Sequence, residues 1–95
     1  MKLTGDIILM LDRSRQGFQK LKFEELYNSI DECINELINT SDKVIRKNLK
    51  GYEFLLSFKN QLLSGKTLSE KQIVQIKRLA PEIARGYYIE NKFKQ

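Results

Sequence analysis

The sequence predicts an all-α fold: a small bundle of four helices, or five if Pro81 divides the last one, around a central third helix. Apolar residues recur at spacings of three and four along nearly the whole chain, which is the period of an α-helix. No alternating apolar and polar run has turn residues on both sides, so strands are not expected. Five glycines, one proline and 41% hydrophobic residues among 95 indicate one domain over residues 1–95 with few, short loops.

The first two predicted helices are amphipathic. The first covers residues 6–14, with Thr4 as its N-cap. The second covers residues 22–39, where apolar side chains from Phe23 to Leu37 keep helical spacing and acidic side chains fill the remaining positions. Each helix is therefore expected to place one face on the core and the other in water.

The third predicted helix, over residues 42–64, begins at Ser41 or Asp42, both of which are good N-caps. Its apolar side chains between positions 52 and 63 cover more than one face, as is typical of a helix at the centre of a domain. Gly51 lowers the helix propensity by roughly 1 kcal/mol, and it marks either a close crossing or a bend.

Clear end signals frame the fourth predicted helix. Gly65 is a C-cap for the helix before it, and Ser69 with Gln72 forms a capping box that starts the next one. Pro81 either kinks this helix or opens a fifth helix at its first turn. Gly86 is a candidate end for it.

The chain from residue 54 to residue 79 also resembles a helical hairpin that recurs in small accessory proteins encoded by bacteriophages. The matching residues are Phe54-Leu55-Leu56-Ser57, Gly65-Lys66-Thr67-Leu68-Ser69-Glu70-Lys71-Gln72 and Leu79. Some proteins with this hairpin are similar to proteins associated with phage DNA replication and recombination. The resemblance implies a small accessory protein with a connection to nucleic acid, and it implies no active-site residue.

Charge is unevenly distributed along a chain whose net charge is +5. Residues 23–42 hold six anions and no cation, whereas residues 43–95 hold twelve cations and four anions. Such polarity indicates internal charge pairing, an anionic partner, or both.

Two groups of cations are candidate binding residues. Lys71, Arg78, Arg85 and Lys92 recur every seven residues, opposite the apolar seam of the same stretch, provided that one helix continues past Pro81. The other group shares one face at the start of the third predicted helix and consists of Lys43, Arg46, Lys47 and Lys50.

Cations at a helix N-terminus oppose the helix dipole, so this second group needs an offsetting anion. One source is internal, because antiparallel packing would bring the acidic second helix, with Glu32 and Glu36, near Lys43 and Lys47. The other source is an external phosphate backbone.

These patterns predict a small non-enzymatic accessory protein that binds nucleic acid, either DNA or RNA, through a basic C-terminal helical surface. Aromatic residues among the cations suit a single strand. The predicted nucleic-acid-binding residues are Lys71, Lys77, Arg78, Arg85, Tyr88, Lys92, Lys43, Arg46, Lys47 and Lys50. A solvated helix face is the alternative interpretation for both groups.

A different class of function is a helical protein-interaction module, such as an adaptor, an inhibitor or a homodimer. Phe54 and Phe58, with the neighbouring leucines, exceed what a four-helix core requires. A large exposed apolar patch usually marks an interface, so these two phenylalanines are its predicted residues.

Enzymatic, metal and cofactor chemistry is not expected. The chain has no His, the commonest general base and metal ligand, and its one cysteine, Cys33, lies on an apolar face as a small buried residue. Ser64-Gly65-Lys66-Thr67 matches the end of a phosphate-binding loop, but Asn60 stands where that loop needs glycine. No apolar run is long enough for a membrane span or a signal peptide. We therefore expect a cytoplasmic protein with no membrane partner and no small-molecule substrate.

Overall fold

The computed structural model describes residues 2–14 and 16–92, and in those residues it contains helices and no strand. The helices are α1 (Gly5–Arg13), a 3₁₀ helix (Phe18–Lys20), α2 (Phe23–Leu26), α3 (Ile30–Ile38), α4 (Asp42–Asn48), α5 (Tyr52–Leu63), α6 (Glu70–Arg78) and α7 (Ala80–Lys92). The all-α class is confirmed, but the described chain forms seven α-helices where four or five were predicted. None of these helices has the length and apolar character needed to cross a membrane.

The second predicted helix is interrupted between α2 and α3. Tyr27 and Ser29 both have extended backbone angles, and the Ser29 side chain accepts a hydrogen bond from the Glu32 N–H. Ser29 is therefore the N-cap of α3, because its hydroxyl satisfies a backbone donor that has no partner inside the helix. The prediction of a continuous helix over 22–39 was wrong, because the apolar spacing continues across the capping residue Ser29.

The third predicted helix is likewise divided, at Gly51. Gly51 has φ of 70° and ψ of 24°, in the left-handed region that glycine adopts without strain. A Cβ atom at this position would lie 3.1 Å from Leu79 Cδ2, so the chain turns where it also passes close to the end of α6. The sequence-based alternatives for Gly51, a bend or a close crossing, are both correct.

The last predicted helix ends and restarts before Pro81. Leu79 caps α6, and its N–H donates to the carbonyl oxygens of Gln75 and Lys77. Pro81 then occupies the first turn of α7, where its missing N–H costs no helical hydrogen bond. The seven-residue row of cations is consequently divided between two helices, and it does not form one helix face.

The central helix is α7, which corrects the prediction that the third helix is central. The first half of α7 is buried, and α7 contacts the 3₁₀ helix, α2, α3, α4 and α6. Its residues are small: Ala80 and Ala84 are fully buried, and a Cβ at Gly86 would lie 2.8 Å from Leu49 Cδ1. Gly86 thus allows close packing and does not end the helix. By contrast, α5 leaves Phe54 59% exposed.

Buried polar groups connect α2, α3, α4 and α5. The Tyr27 hydroxyl donates to Glu36 Oε1 at 2.8 Å, and both side chains are buried. The Lys59 ammonium donates to the Thr40 carbonyl at 2.6 Å and lies 3.0 Å from Asp42 Oδ1. Burial raises the pKa of Glu36, and the Tyr27 hydrogen bond offsets part of that rise.

Several local predictions are confirmed. The Thr4 and Ser41 side chains cap α1 and α4, and Ser69 with Gln72 forms both hydrogen bonds of a capping box. Gln72 and Gln61 also exchange hydrogen bonds of 2.9 and 3.2 Å, which connect the end of α5 to the start of α6. Cys33 is fully buried, and burial, with a smaller effect of Glu36, raises its pKa to about 12.

Replacement of Gly51 should destabilise the fold measurably. Gly51→Ala should lower the free energy of unfolding by about 1–2 kcal/mol, because an L-residue in the left-handed region is strained and its Cβ would also contact Leu79. Urea denaturation followed by circular dichroism measures this change. Gly5→Ala is the matched control, since a Cβ there has no atom within 4 Å. Equal stability of both variants would contradict the assigned turn.

Candidate nucleic-acid interface

Three surface grooves lie along α7, and each is lined by cations. We name them after one lining residue each. The Phe23 groove, between the 3₁₀ helix and α2 on one side and α6 on the other, contains Lys22, Lys77 and Arg78 and has a volume of about 360 Å³. The Glu82 groove contains Lys50 and Arg85 in about 470 Å³. The Val44 groove contains Lys43 and Lys47 in about 510 Å³.

The Glu82 groove shares one lining residue with each of the other two grooves. Gln19 lines both the Phe23 groove and the Glu82 groove, and Asn48 lines both the Glu82 groove and the Val44 groove. The α7 residues along this series advance from Pro81 to Glu90. We call this continuous series the groove path. It brings together cations from α4, α6 and α7 that are far apart in the sequence.

The Phe23 groove holds its cations in defined positions. The Lys77 ammonium lies 5.3 Å from the centroid of the Phe23 ring, within the range of a cation–π interaction. The Phe23 ring also packs against Tyr27, at 5.8 Å between centroids. Arg78 is exposed beside a floor that includes Val74 and Pro81. Phe23 therefore orients Lys77 at the edge of an apolar groove.

Sequence reasoning missed Lys22 as a site residue. It precedes α2 as the N-cap residue and directly adjoins the acidic segment, so it was not grouped with the C-terminal cations. Only the packing of α2 and α6 against α7 places it beside Lys77 and Arg78. The available signal was the pair Lys20 and Lys22 immediately before Phe23.

The Glu82 groove combines cations with a buried carboxylate. Glu82 is 8% exposed, and its Oε2 has no hydrogen-bond partner among the described residues. The Arg85 guanidinium lies 3.9 Å from that oxygen and donates to the Asn48 carbonyl. Burial raises the pKa of Glu82, although Arg85 and Lys50 both act to lower it. Arg85 therefore has a structural role. The seven-residue row had instead predicted a cation opposite the apolar seam, on the side that faces water.

The Val44 groove presents two exposed cations, Lys43 and Lys47, above a floor of Val44 and Ile89. Its carboxylate, Glu90, accepts hydrogen bonds from the Ser41 N–H at 3.1 Å and the Ser41 hydroxyl at 2.7 Å. This acid is consequently engaged in capping α4.

The expected internal partners of the second cationic group have other roles. Glu36 accepts from Tyr27, and Glu32 accepts from the Asn28 amide at 3.3 Å. Within residues 2–14 and 16–92, no carboxylate lies within 4 Å of the charged groups of Lys43, Arg46 and Lys47. These cations are thus open to an external anion.

The remaining predicted residues do not line the groove path, although Lys92 contacts it at Asp12. Lys71 and Arg46 are exposed on α6 and α4 and line none of the three grooves. The Lys92 ammonium lies 3.7 Å from Asp12 Oδ2 and 5.9 Å from the Tyr88 ring, in a depression between α1 and the end of α7. The ten predicted residues therefore do not share one surface.

The two predicted interface residues also have different positions. Phe58 is a core residue with 5% exposure, while Phe54 is largely exposed with its ring 6.4 Å from that of Phe58. Only Phe54 is available to a partner.

Comparison with protein-family models, curated proteins and solved structures gives no match to this chain. The resemblance of residues 54–79 to a phage protein hairpin therefore stays a prediction. In the described residues, no group of three or more Cys, Asp or Glu side chains is arranged to hold a metal ion.

The buried carboxylate should make stability depend on pH. Since burial raises the pKa of Glu82 above its ordinary value of 4.5, its contribution to stability is fully present below that value. It is lost as pH rises through the raised pKa, by at most about 1.4 kcal/mol per pH unit. Glu82→Gln removes this pH-dependent loss of stability. Glu36, whose pKa is also raised, contributes the same pH dependence to the wild type and to the variant. Urea denaturation across this pH range should show the variant gaining stability relative to wild type as pH rises. If the free energies of unfolding of wild type and variant changed in parallel with pH, the assignment of a raised pKa to Glu82 would be contradicted.

Proposed function

We propose that the protein binds nucleic acid along the groove path, as a non-enzymatic accessory protein. The observation that supports this is the charge of the path. Its seven cations are Lys22, Lys77, Arg78, Lys50, Arg85, Lys43 and Lys47, and its four carboxylates are Glu24, Asp12, Glu82 and Glu90. Seven cations against four carboxylates leave an excess of three positive charges, so the path attracts anions.

The binding mechanism is neutralisation of phosphates by these lysines and arginines. Each phosphate contact releases counterions, so affinity falls as salt rises, and about five contacts on a single strand give a slope near −3.5 in log affinity against log salt. The phage-protein resemblance of residues 54–79 is consistent with an accessory role of this kind.

A single strand suits the groove path better than a duplex. The path consists of recesses along α7 in a molecule of only 35 × 26 × 19 Å, and duplex DNA, which stays nearly straight over this distance with a persistence length of about 50 nm, does not bend into them. A flexible strand can follow the path and place a phosphate near each cation group. We therefore favour single-stranded DNA or RNA as the ligand class.

A protein-interaction module is the second candidate function. Phe54 and Tyr52, which are 59% and 41% exposed at the start of α5, favour it. The burial of Phe58 removes one of its two predicted anchors. The oligonucleotide titration described next discriminates between the two functions, because an interaction module would bind no oligonucleotide at physiological salt.

Charge reversal in the Phe23 groove should weaken nucleic-acid binding. Lys77→Glu with Arg78→Glu should lower the affinity for a single-stranded oligonucleotide at least tenfold at about 150 mM salt and reduce the salt slope, because phosphate contacts are lost. Fluorescence anisotropy with labelled single- and double-stranded DNA and RNA measures both quantities. Arg85 is unsuitable for this test, since a glutamate there would lie beside Glu82.

The matched control is Lys66→Glu with Lys71→Glu. It makes the same change in net charge at two exposed residues that line none of the three grooves. This control should lose at most about threefold, through long-range electrostatics alone. Equal losses in both double variants would show that net charge, and not the groove path, determines binding.

A further inference from the structure

The Glu82 groove contains a buried carboxylate of which one oxygen, Oε2, has no hydrogen-bond partner among the described residues. The Glu82 side chain is 11% exposed. Buried polar atoms are nearly always paired, and leaving a charged one unpaired is costly. Because this carboxylate lines an open groove of about 470 Å³, a ligand in the groove can supply the missing donor.

The neighbours of Glu82 satisfy its carboxylate only in part. The Lys50 N–H and the Gln19 side chain hydrogen-bond to the carboxylate, but Oε2 is left without a partner among the described residues. The Arg85 guanidinium is 3.9 Å from Oε2, too far for a hydrogen bond, and it donates to the Asn48 carbonyl. The terminal torsion of a glutamate side chain is broad. A small rotation of the carboxylate can therefore present Oε2 to the groove when a donor arrives.

The other walls of the groove suit a planar polar heterocycle. The Gln19 side chain hydrogen-bonds to Glu82 and the Asn48 amide donates to the Val44 carbonyl at 3.2 Å, so each amide keeps a carbonyl oxygen and a second N–H for a ligand. Phe18 and Leu11 contribute apolar surface. Sites that combine an apolar lining with a few convergent polar groups, in roughly 300–1,000 Å³, typically hold small organic groups. The cations of the Phe23 and Val44 grooves lie on either side along the groove path.

We propose that the Glu82 groove takes one unstacked guanine of a single strand, with the Glu82 carboxylate accepting from its Watson–Crick edge. Single-stranded bases are commonly read on that edge once they are splayed out. An ionised carboxylate only accepts hydrogen bonds, and guanine presents two adjacent donors, N1–H and the N2 amino group. Adenine, cytosine and thymine each place an acceptor beside their donor, which a carboxylate repels. This inference rests on the proposed nucleic-acid function and adds a base preference to it.

The test is fluorescence anisotropy at about pH 8, because burial raises the pKa of Glu82 and a higher pH favours the carboxylate that the proposal requires. The probes are thymidine oligonucleotides of about a dozen residues whose central base is thymine, guanine, adenine or cytosine. The wild-type protein should bind the single-guanine probe about tenfold more tightly than the all-thymine probe. Glu82→Gln should abolish this difference while it leaves affinity for the all-thymine probe equal or higher, because a carboxylate is removed from the groove path.

Glu24→Gln is the matched control, since it removes the same charge from the Phe23 groove and should keep the guanine preference. A wild-type protein that binds all four probes equally would overturn the guanine site and leave the proposed function standing. Loss of the preference in Glu24→Gln as well would also overturn it. Binding to none of the probes at low salt would overturn both proposals. Because the first comparison uses wild-type protein, it does not depend on the folding of any variant.

Discussion

The structure depends on the burial of the first half of α7. Ala80, Ala84 and Gly86 carry little or no side chain, so five other helical elements approach this helix closely. Protein interiors pack at crystal-like density, and a helix with small residues lets its neighbours come near. The grooves are the places where those neighbours diverge from α7. Their positions, and therefore the positions of the cations that line them, follow from the packing around this one helix.

Charged side chains of α7 also fix its neighbour α4 at both ends. Glu90 accepts hydrogen bonds from Ser41, the N-cap of α4, and Arg85 donates to the carbonyl of Asn48, its last residue. An anion at a helix N-terminus and a cation at its C-terminus both complement the helix dipole. These two contacts orient α4 so that Lys43 and Lys47 face the groove they share with α7. Charges that position a helix thus also shape the candidate binding surface.

Sequence reasoning recovered what local chemistry determines. Helical spacing gave the fold class, and the Ser69–Gln72 capping box gave the start of α6. It missed the break at Ser29 because continuous apolar spacing outweighed one capping hydroxyl. It placed the centre of the fold in the aromatic-rich stretch around Phe54, although small residues in α7 allow closer packing than large ones. The groove path could not be predicted from the sequence, because only tertiary packing brings Lys22, Lys50 and Lys77 to adjacent grooves.

The most direct test of the groove path is a ¹H–¹⁵N NMR titration of the protein with a thymidine oligonucleotide. Gln19 and Asn48 join the three grooves, so their side-chain amide signals should shift together and saturate with the same affinity. The side-chain amide signals of Gln61 and Gln72, which hydrogen-bond to each other between α5 and α6, should not shift. Shifts that avoid Gln19 and Asn48, or that spread evenly over the surface, would contradict a continuous binding path along α7.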